Sequence, residues 1–212
     1  MTHQERIALF KEKATAVAAV VTEIAQRNDA LDYLMEICDK KEACQLMPVG
    51  CEENLSDKAE AVCETKQSKI IAAPGLDAET YQMLEERCTK HGFQLINSGI
   101  RNHLAGIDIG FTEVQHGIAE TGTVILASKS EEVRLSSMIS EIHVVLLPTS
   151  KIVETSYEME NYLIANMKDA PDYHAFITGP SRTADIERVL ALGVHGPLEL
   201  HILLLEDDHA AS

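Results

Sequence analysis

Two hydroxyl side chains flank an arginine directly after a short hydrophobic strand in the last quarter of the chain. The strand, predicted from Ala175 to Thr178, is followed by a Gly-Pro pair and then by Ser181, Arg182 and Thr183. Gly-Pro ends a strand, and a hydroxyl residue is a common start for a helix. We therefore predict a helix from Thr183 to Leu192. Its first-turn amides, with the two hydroxyl groups and the arginine, would bind a carboxylate or a phosphate.

A purely structural interpretation of this loop stays open. Ser181 or Thr183 alone would cap the helix, and Asp185, with Glu187 after it, would place negative charge near the positive end of the helix dipole. Capping accounts for one hydroxyl group. It does not account for an arginine between two of them, so the pattern favours anion binding at the carboxyl end of a strand.

A second candidate is the sequence Glu120-Thr121-Gly122-Thr123, just before a predicted strand. Glu120 is a candidate acid or nucleophile, and Thr121, Gly122 and Thr123 would supply hydrogen-bond donors for a ligand. The same four residues also form an ordinary tight turn into a strand. The two interpretations are equally supported by the sequence.

His195 and Gly196, in Gly193-Val194-His195-Gly196-Pro197, suggest a general base that could join Ser181 and Asp185 in a triad. The predicted helix argues against it, because nine or ten residues at about 1.5 Å each separate the two loops by roughly 15 Å. We therefore expect His195 near the opposite edge of the sheet, in a structural role.

No metal site is predicted, and no cofactor is expected to be bound by this chain. The cysteines follow a C-x5-C-x6-C-x11-C pattern without the C-x2-C pairs of zinc and iron–sulfur sites. We expect reduced thiols that pack as small hydrophobic groups. Neither G-x-G-x-x-G nor a Walker loop occurs. The five cysteines are Cys38, Cys44, Cys51, Cys63 and Cys88.

The charge of the chain excludes several classes of partner. With 18 basic and 34 acidic residues the net charge is −16, which repels nucleic acid and anionic membrane surfaces. No segment reaches the roughly 20 apolar residues of a membrane-spanning helix. We expect a cytoplasmic protein that draws in any anionic ligand by local groups, and a homo-oligomer is compatible with the sequence.

The order of predicted elements indicates an α/β protein. Residues 1–68 are predicted as an N-terminal helical extension, helical from Gln4 to Ala43 as a helical hairpin or a broken helix, followed by an irregular loop. Residues 69–206 form the α/β domain and 207–212 an acidic tail. Apolar runs without polar alternation, separated by helices, predict a three-layer, open, mostly parallel sheet. A capping-box pattern at Thr112 predicts a short helix there. About six strands are predicted, at 70–73, 93–96, 124–127, 143–147, 175–178 and 198–205.

The three motifs occur together in an order that resembles the LUD-domain family of lactate utilisation proteins, over roughly residues 70 to 205. The resemblance implies a fold like that of ribose-5-phosphate isomerase, glucosamine-6-phosphate deaminase and CoA-transferases. It also implies a part in oxidising L-lactate to pyruvate, alongside partner proteins that carry iron–sulfur clusters. It assigns no catalytic residues, so the motifs transfer as a site without roles.

Three functions are consistent with these observations. The first is a non-redox subunit of a lactate-oxidising assembly that binds a small carboxylate. The second is an enzyme acting on CoA thioesters or sugar phosphates, with Glu120 as nucleophile. The third is a sensor that binds an organic acid without chemistry.

Overall fold

The computed structural model describes residues 1–42, 68–103, 106–168, 173–183, 191–192 and 196–207. The helices in these ranges are α1 (His3–Ala16), α2 (Arg27–Lys40), α3 (Ala78–His91), α4 (Glu131–Ile139) and α5 (Glu160–Asn166), with 3-10 turns at Ile100–Asn102, Thr149–Lys151 and Ser156–Met159. The strands are β1 (Val20–Ile24), β2 (Ile70–Ala72), β3 (Gln94–Ile96), β4 (Ile107–Glu113), β5 (His116–Ile118), β6 (Thr123–Ala127), β7 (Ser140–Pro148), β8 (Ile152–Val153), β9 (His174–Ile177), β10 (Arg182–Thr183), β11 (Ala191–Leu192) and β12 (Glu199–Leu205).

Six strands form one parallel sheet in the order β1-β12-β7-β4-β2-β3. This confirms the predicted α/β class with a mostly parallel sheet of six strands. A second sheet has the order β8-β5-β6-β9, and its strands pair mainly antiparallel. Along the chain, these strands alternate with elements of the main sheet. This second sheet was not predicted.

The two faces of the main sheet are covered differently. Side chains of α2 and α3, such as Leu34 and Leu84, pack on one face against Ile109 and Val144. The second sheet and α1 cover the other face, where Phe10 belongs to the same cluster as Val124, Val145 and Ile202. The continuous apolar character of the central strands follows from this burial on both sides.

The N-terminal segment is not helical throughout. The helix predicted from Gln4 to Ala43 is wrong at Val20–Ile24, which forms the edge strand β1 and pairs in parallel with β12 from His201 to Leu205. Ala18, with φ of 67°, reverses the chain after α1. The predicted helical stripe fails here because β-branched Val20, Val21 and Thr22 favour a strand.

The helix predicted at Thr112 is also wrong, because Thr112 and Glu113 end β4 and pair with Val145 and Leu146 of β7. Two strands predicted for the parallel sheet belong to the second sheet instead. β6 and β9 pair antiparallel there, with Val124 opposite Ile177. These two strands were assigned to the wrong sheet because a short buried strand has the same sequence pattern in either sheet.

The ends of the helix predicted from Thr183 to Leu192 are strands. Arg182 pairs with Leu192 and Thr183 with Ala191 in the antiparallel ladder of β10 and β11. The predicted helix boundaries at Thr183 and Leu192 are therefore wrong. A helix would separate its two ends, whereas this ladder places residues 182–183 beside residues 191–192. Residues 184–190, with Asp185 and Glu187, lie outside the described residues.

Candidate functional site

A cavity of about 270 Å³ lies beside α4, over the face of the main sheet that carries the second sheet. Its polar lining comprises Arg134, Ser137, His143, Tyr173, Thr178 and Ser181. Its apolar lining includes Met138, Phe176, Ile177 and Leu200. None of the described residues that line it is acidic, although the chain has 34 acidic and 18 basic residues. The local chemistry therefore opposes the charge of the whole chain and favours an anion.

Helix α4 forms one wall of this cavity, and it packs directly on Gly110 of β4. A Cβ atom on Gly110 would lie 2.1 Å from the carbonyl oxygen of Ser136 and 2.6 Å from Oγ of Ser140. Only a residue without a side chain allows the helix backbone to rest this closely on the strand. The contact fixes the position of Arg134 and Ser137 over the cavity.

The Arg134 guanidinium is held by the carbonyl oxygens of Ser128 and Lys129 and by the ring of Tyr173. Its Nη1 donates a hydrogen bond of 2.8 Å to the carbonyl oxygen of Ser128. The guanidinium carbon also lies 5.7 Å from the centroid of the Tyr173 ring, within the range of a cation–π contact. Glu131, one turn earlier in α4, forms an ion pair with Arg101. This pair and, to a smaller extent, the charge of Arg134 lower the pKa of the Glu131 carboxyl. Arg134 is therefore an oriented cation at the cavity.

His143 lies in the middle of β7 and is only 1% exposed. Its Nε2 is 2.9 Å from Oγ1 of Thr112 on the adjacent strand β4. Burial lowers the pKa of His143 to about 4, so the ring is neutral at physiological pH. Sequence reasoning missed this residue because it starts an apolar run. The signal that could have revealed it is a histidine in an otherwise aliphatic buried strand.

The loops that carry Ser181 and Gly196 are in contact. The backbone N–H of Ser181 donates a hydrogen bond of 2.9 Å to the carbonyl oxygen of Pro197. A Cβ atom on Gly196 would lie 3.1 Å from Cβ of Ser181. The expectation that a helix keeps these loops about 15 Å apart is therefore wrong, because the β10–β11 ladder returns the chain. His195 itself lies outside the described residues.

Of the predicted anion ligands in this loop, the described side chains of Ser181 and Arg182 do not meet at one point. Ser181 lines the cavity, whereas Arg182 is exposed and its Nη2 donates a hydrogen bond of 2.8 Å to the carbonyl oxygen of Val17. Thr183 belongs to β10 through its backbone, and its side chain lies outside the described part of the structure. The cation at this cavity is Arg134, which the sequence did not indicate.

The second predicted motif reaches the same cavity through a chain of hydroxyl groups. Oγ1 of Thr123 is 2.7 Å from Oγ1 of Thr121 and 2.8 Å from Oγ1 of Thr178. Glu120 is exposed outside the cavity, and its Oε1 accepts a hydrogen bond of 2.8 Å from the backbone N–H of Ser156. The motif therefore supports the cavity wall with its threonines and caps a turn with its carboxylate.

The glycines of these two motifs pack on the end of α1. A Cβ atom on Gly122, which has φ of 65°, would lie 2.2 Å from the backbone nitrogen of Ala14. One on Gly179, with φ of 74°, would lie 2.3 Å from the carbonyl oxygen of Val17. Both glycines are thus required for close backbone contact.

A second cavity, of about 590 Å³, lies at the carboxyl ends of β1 and β12, the edge where open α/β sheets usually bind ligands. Its lining includes Glu23, Glu206 and Asp207. Burial raises the pKa of Asp207, but hydrogen bonds from Ser150 and Thr149 outweigh that and lower it. An anion is therefore repelled here. Within the described residues no group of three or more His, Cys, Asp or Glu side chains is arranged to hold a metal ion.

Comparison with known proteins places this fold. An uncharacterized protein of Neisseria meningitidis serogroup B is 42% identical over 110 residues, which cover 49% of this chain and 44% of that protein. The lactate utilization protein C of Bacillus subtilis is 36% identical over 106 residues, covering 49% and 43%. The match thus spans less than half the length of these relatives.

A solved structure, a DUF162 family protein from Deinococcus radiodurans, shares the fold with a TM-score of 0.60 at 15% identity, over 97% of this chain and 99% of that one. Among the described helices none is long and apolar enough to cross a membrane. The model of the LUD domain matches residues 7–205, a range that contains all twelve described strands. The chain belongs to the LUD domain family.

Proposed function

We propose that this chain binds a small organic carboxylate in the cavity beside α4, as a component of a lactate-utilisation system. The relatives named lactate utilization protein C, from several Bacillus species among others, suggest the system. The position of Arg134 at the cavity is the observation that supports a carboxylate ligand. Arg134 is an oriented guanidinium at a cavity where none of the described lining residues is acidic, in a chain whose net charge is −16.

The lining suits a carboxylate with a short carbon chain. A guanidinium presents its N–H groups in a planar fork that matches the two oxygens of a carboxylate. One donor of Arg134 is used by Ser128, which leaves others for the ligand. Ser181 would add a hydroxyl donor, and Leu200 an apolar surface for the carbon chain. The hydroxyl group of Ser137 already donates to the carbonyl oxygen of Arg134 and can only accept from a ligand. A cavity of about 270 Å³ suits a ligand of a few carbon atoms.

In this proposal the chain acts as a non-redox subunit in the cytoplasm. Oxidation of lactate to pyruvate releases two electrons, and iron–sulfur clusters in partner proteins would accept them, as the family resemblance implies. The cysteine spacing of this chain supports that division, because it lacks the paired ligands of a cluster site. The ligand held by Arg134 would be lactate, pyruvate or a close analogue.

The alternative of a CoA-thioester or sugar-phosphate enzyme with Glu120 as nucleophile gains no support from the geometry. Glu120 lies outside the lining of the cavity, and its carboxylate is bonded to the Ser156 amide. An organic-acid sensor would use the same cavity as the proposed subunit. The two differ in whether growth on lactate requires the chain.

Titration calorimetry with L-lactate and propionate tests the site. Arg134→Gln removes the charge and shortens the side chain while keeping a polar amide, and we expect the Kd to rise at least about tenfold. Arg87→Gln is the matched control, since Arg87 lies on α3 and pairs with Asp32 far from the cavity. Unchanged binding by Arg134→Gln, or loss of binding by Arg182→Gln alone, would overturn the proposed site.

A clean deletion in the source organism tests the system. We expect loss of growth on L-lactate as sole carbon source and normal growth on pyruvate. Complementation with the wild-type chain should restore growth, and complementation with Arg134→Gln should not. Normal growth of the deletion strain on lactate would contradict membership in the system.

A further inference from the structure

The cavity contains a hydrogen-bonding group that binding of a carboxylate leaves unused. His143 lines the cavity although its side chain is almost entirely buried. Only one of its ring nitrogens is bonded, through Nε2 to Oγ1 of Thr112. Within the described part of the chain no hydrogen bond reaches Nδ1. Nδ1 is not fully buried, since His143 borders the cavity, and a ligand or water there can bond it.

The neighbours of His143 explain why the ring faces the cavity. It stands between Gly110 of β4 and Leu200 of β12 in the register of the sheet. Gly110 provides no side chain to cover it, and α4 rests on that glycine with its Ser136 carbonyl. The residues before and after it, Ile142 and Val144, are apolar and point to the opposite face.

The His143–Thr112 pair can serve either oxidation state of a ligand. A neutral imidazole has one donor and one acceptor nitrogen, and a hydroxyl group can donate or accept. When Thr112 donates to Nε2, Nδ1 carries the proton and can donate to a 2-oxo group. When Thr112 accepts from Nε2, Nδ1 can accept a hydrogen bond from a 2-hydroxyl group. No charged histidine is needed in either state.

We propose that His143 recognises an oxygen on the carbon next to the carboxylate, so that the cavity selects 2-hydroxy and 2-oxo carboxylates over unsubstituted ones. This inference rests on the proposed carboxylate site and assigns it a specificity-determining residue. Arg134 binds the carboxylate that all these ligands share. His143 distinguishes among them.

Calorimetry with L-lactate, pyruvate and propionate tests the inference, because propionate has the same three carbons and carboxylate but no 2-oxygen. We expect wild-type protein to bind lactate or pyruvate about tenfold more tightly than propionate. In His143→Gln the amide can still bond Thr112 but offers no counterpart of Nδ1. We expect it to bind all three ligands within about twofold of the wild-type affinity for propionate.

A matched control is His201→Gln, because His201 is buried on the neighbouring strand β12 but faces α2, where it bonds Tyr33. It should retain the discrimination. Equal wild-type binding of the three ligands, with loss in Arg134→Gln, would overturn the role of His143 and leave the carboxylate site intact. Discrimination retained by a folded His143→Gln protein would do the same. No binding of any carboxylate by the wild type would overturn both proposals.

Discussion

The backbone N–H of Ser181 donates a hydrogen bond of 2.9 Å to the carbonyl oxygen of Pro197. This contact joins two loops that lie 16 positions apart in the chain and brings both to the cavity beside α4. Thr123 adds the third motif through its contact with Thr178. Three separate stretches of sequence therefore meet around one cavity, and the cation there comes from a fourth, helix α4.

Replacing Gly110 by alanine should destabilise the protein by about 3 kcal/mol, because the new methyl group would overlap the Ser136 carbonyl and push α4 off the sheet. Urea unfolding measures the change. The control is Gly92→Ala, where a Cβ meets nothing within 4 Å and only the positive φ is unfavourable; we expect it to cost about 1 kcal/mol. Equal effects of the two substitutions would contradict the close contact of α4 with β4.

Within the motif at residues 120–123, the glycine should matter more for stability than the glutamate. Gly122→Ala would overlap the backbone at Ala14 and strain a left-handed residue, so we expect a loss of about 3 kcal/mol or more. Glu120→Gln keeps an oxygen for the Ser156 amide and should change stability by less than about 0.5 kcal/mol. A large effect of Glu120→Gln on carboxylate binding would instead favour a catalytic role for this residue.

Acid should destabilise the protein partly through His143. Its pKa is lowered by burial from 6.5 to about 4, so protons bind the unfolded chain first as the pH falls. Stability is full above pH 6.5 and is lost progressively between that value and pH 4. We expect His143 to account for about 2 kcal/mol between pH 7.5 and 5. The measurement compares unfolding of wild type and His143→Gln at the two pH values, and parallel losses in both would contradict the buried neutral ring.

The thiols of Cys38 and Cys88 should resist modification in the folded protein. Burial raises the pKa of Cys38 to about 12 and that of Cys88 to about 11, so almost no thiolate exists at pH 8. We expect labelling by a thiol reagent, followed by peptide mass spectrometry, to be at least about a hundredfold slower at these two positions than in the unfolded protein. Rapid labelling of either one in the native state would contradict its packing in the core. Cys44, Cys51 and Cys63 lie outside the described residues.

The fold class could be predicted because central strands buried on both faces leave continuous apolar runs in the sequence. Four of the predicted strands are in the parallel sheet, at β2, β3, β7 and β12. The edge strand β1 was missed because Val17, Val21 and Ile24 also fit a helical spacing. The second sheet was missed because β5 and β8 have only three and two residues, and because β6 and β9, which were predicted as strands, were assigned to the parallel sheet.

The candidate site could be predicted only in part. Ser181 and the hydroxyl groups near Thr123 were found because small polar residues at turns stand out in a sequence. Arg134 and His143 were not, since one sits in an ordinary amphipathic helix and the other in a buried strand. Arg134 and His143 meet at the cavity because α4 packs on Gly110. This is a tertiary contact, so it leaves no pattern in the sequence around either residue.

A crystal structure with bound L-lactate tests the central claim most directly. We predict density for the ligand in the cavity beside α4, with the carboxylate within hydrogen-bonding distance of the Arg134 guanidinium and the 2-hydroxyl oxygen within that distance of Nδ1 of His143. A lactate carboxylate bound at Arg182 with the cavity beside α4 empty would contradict the account.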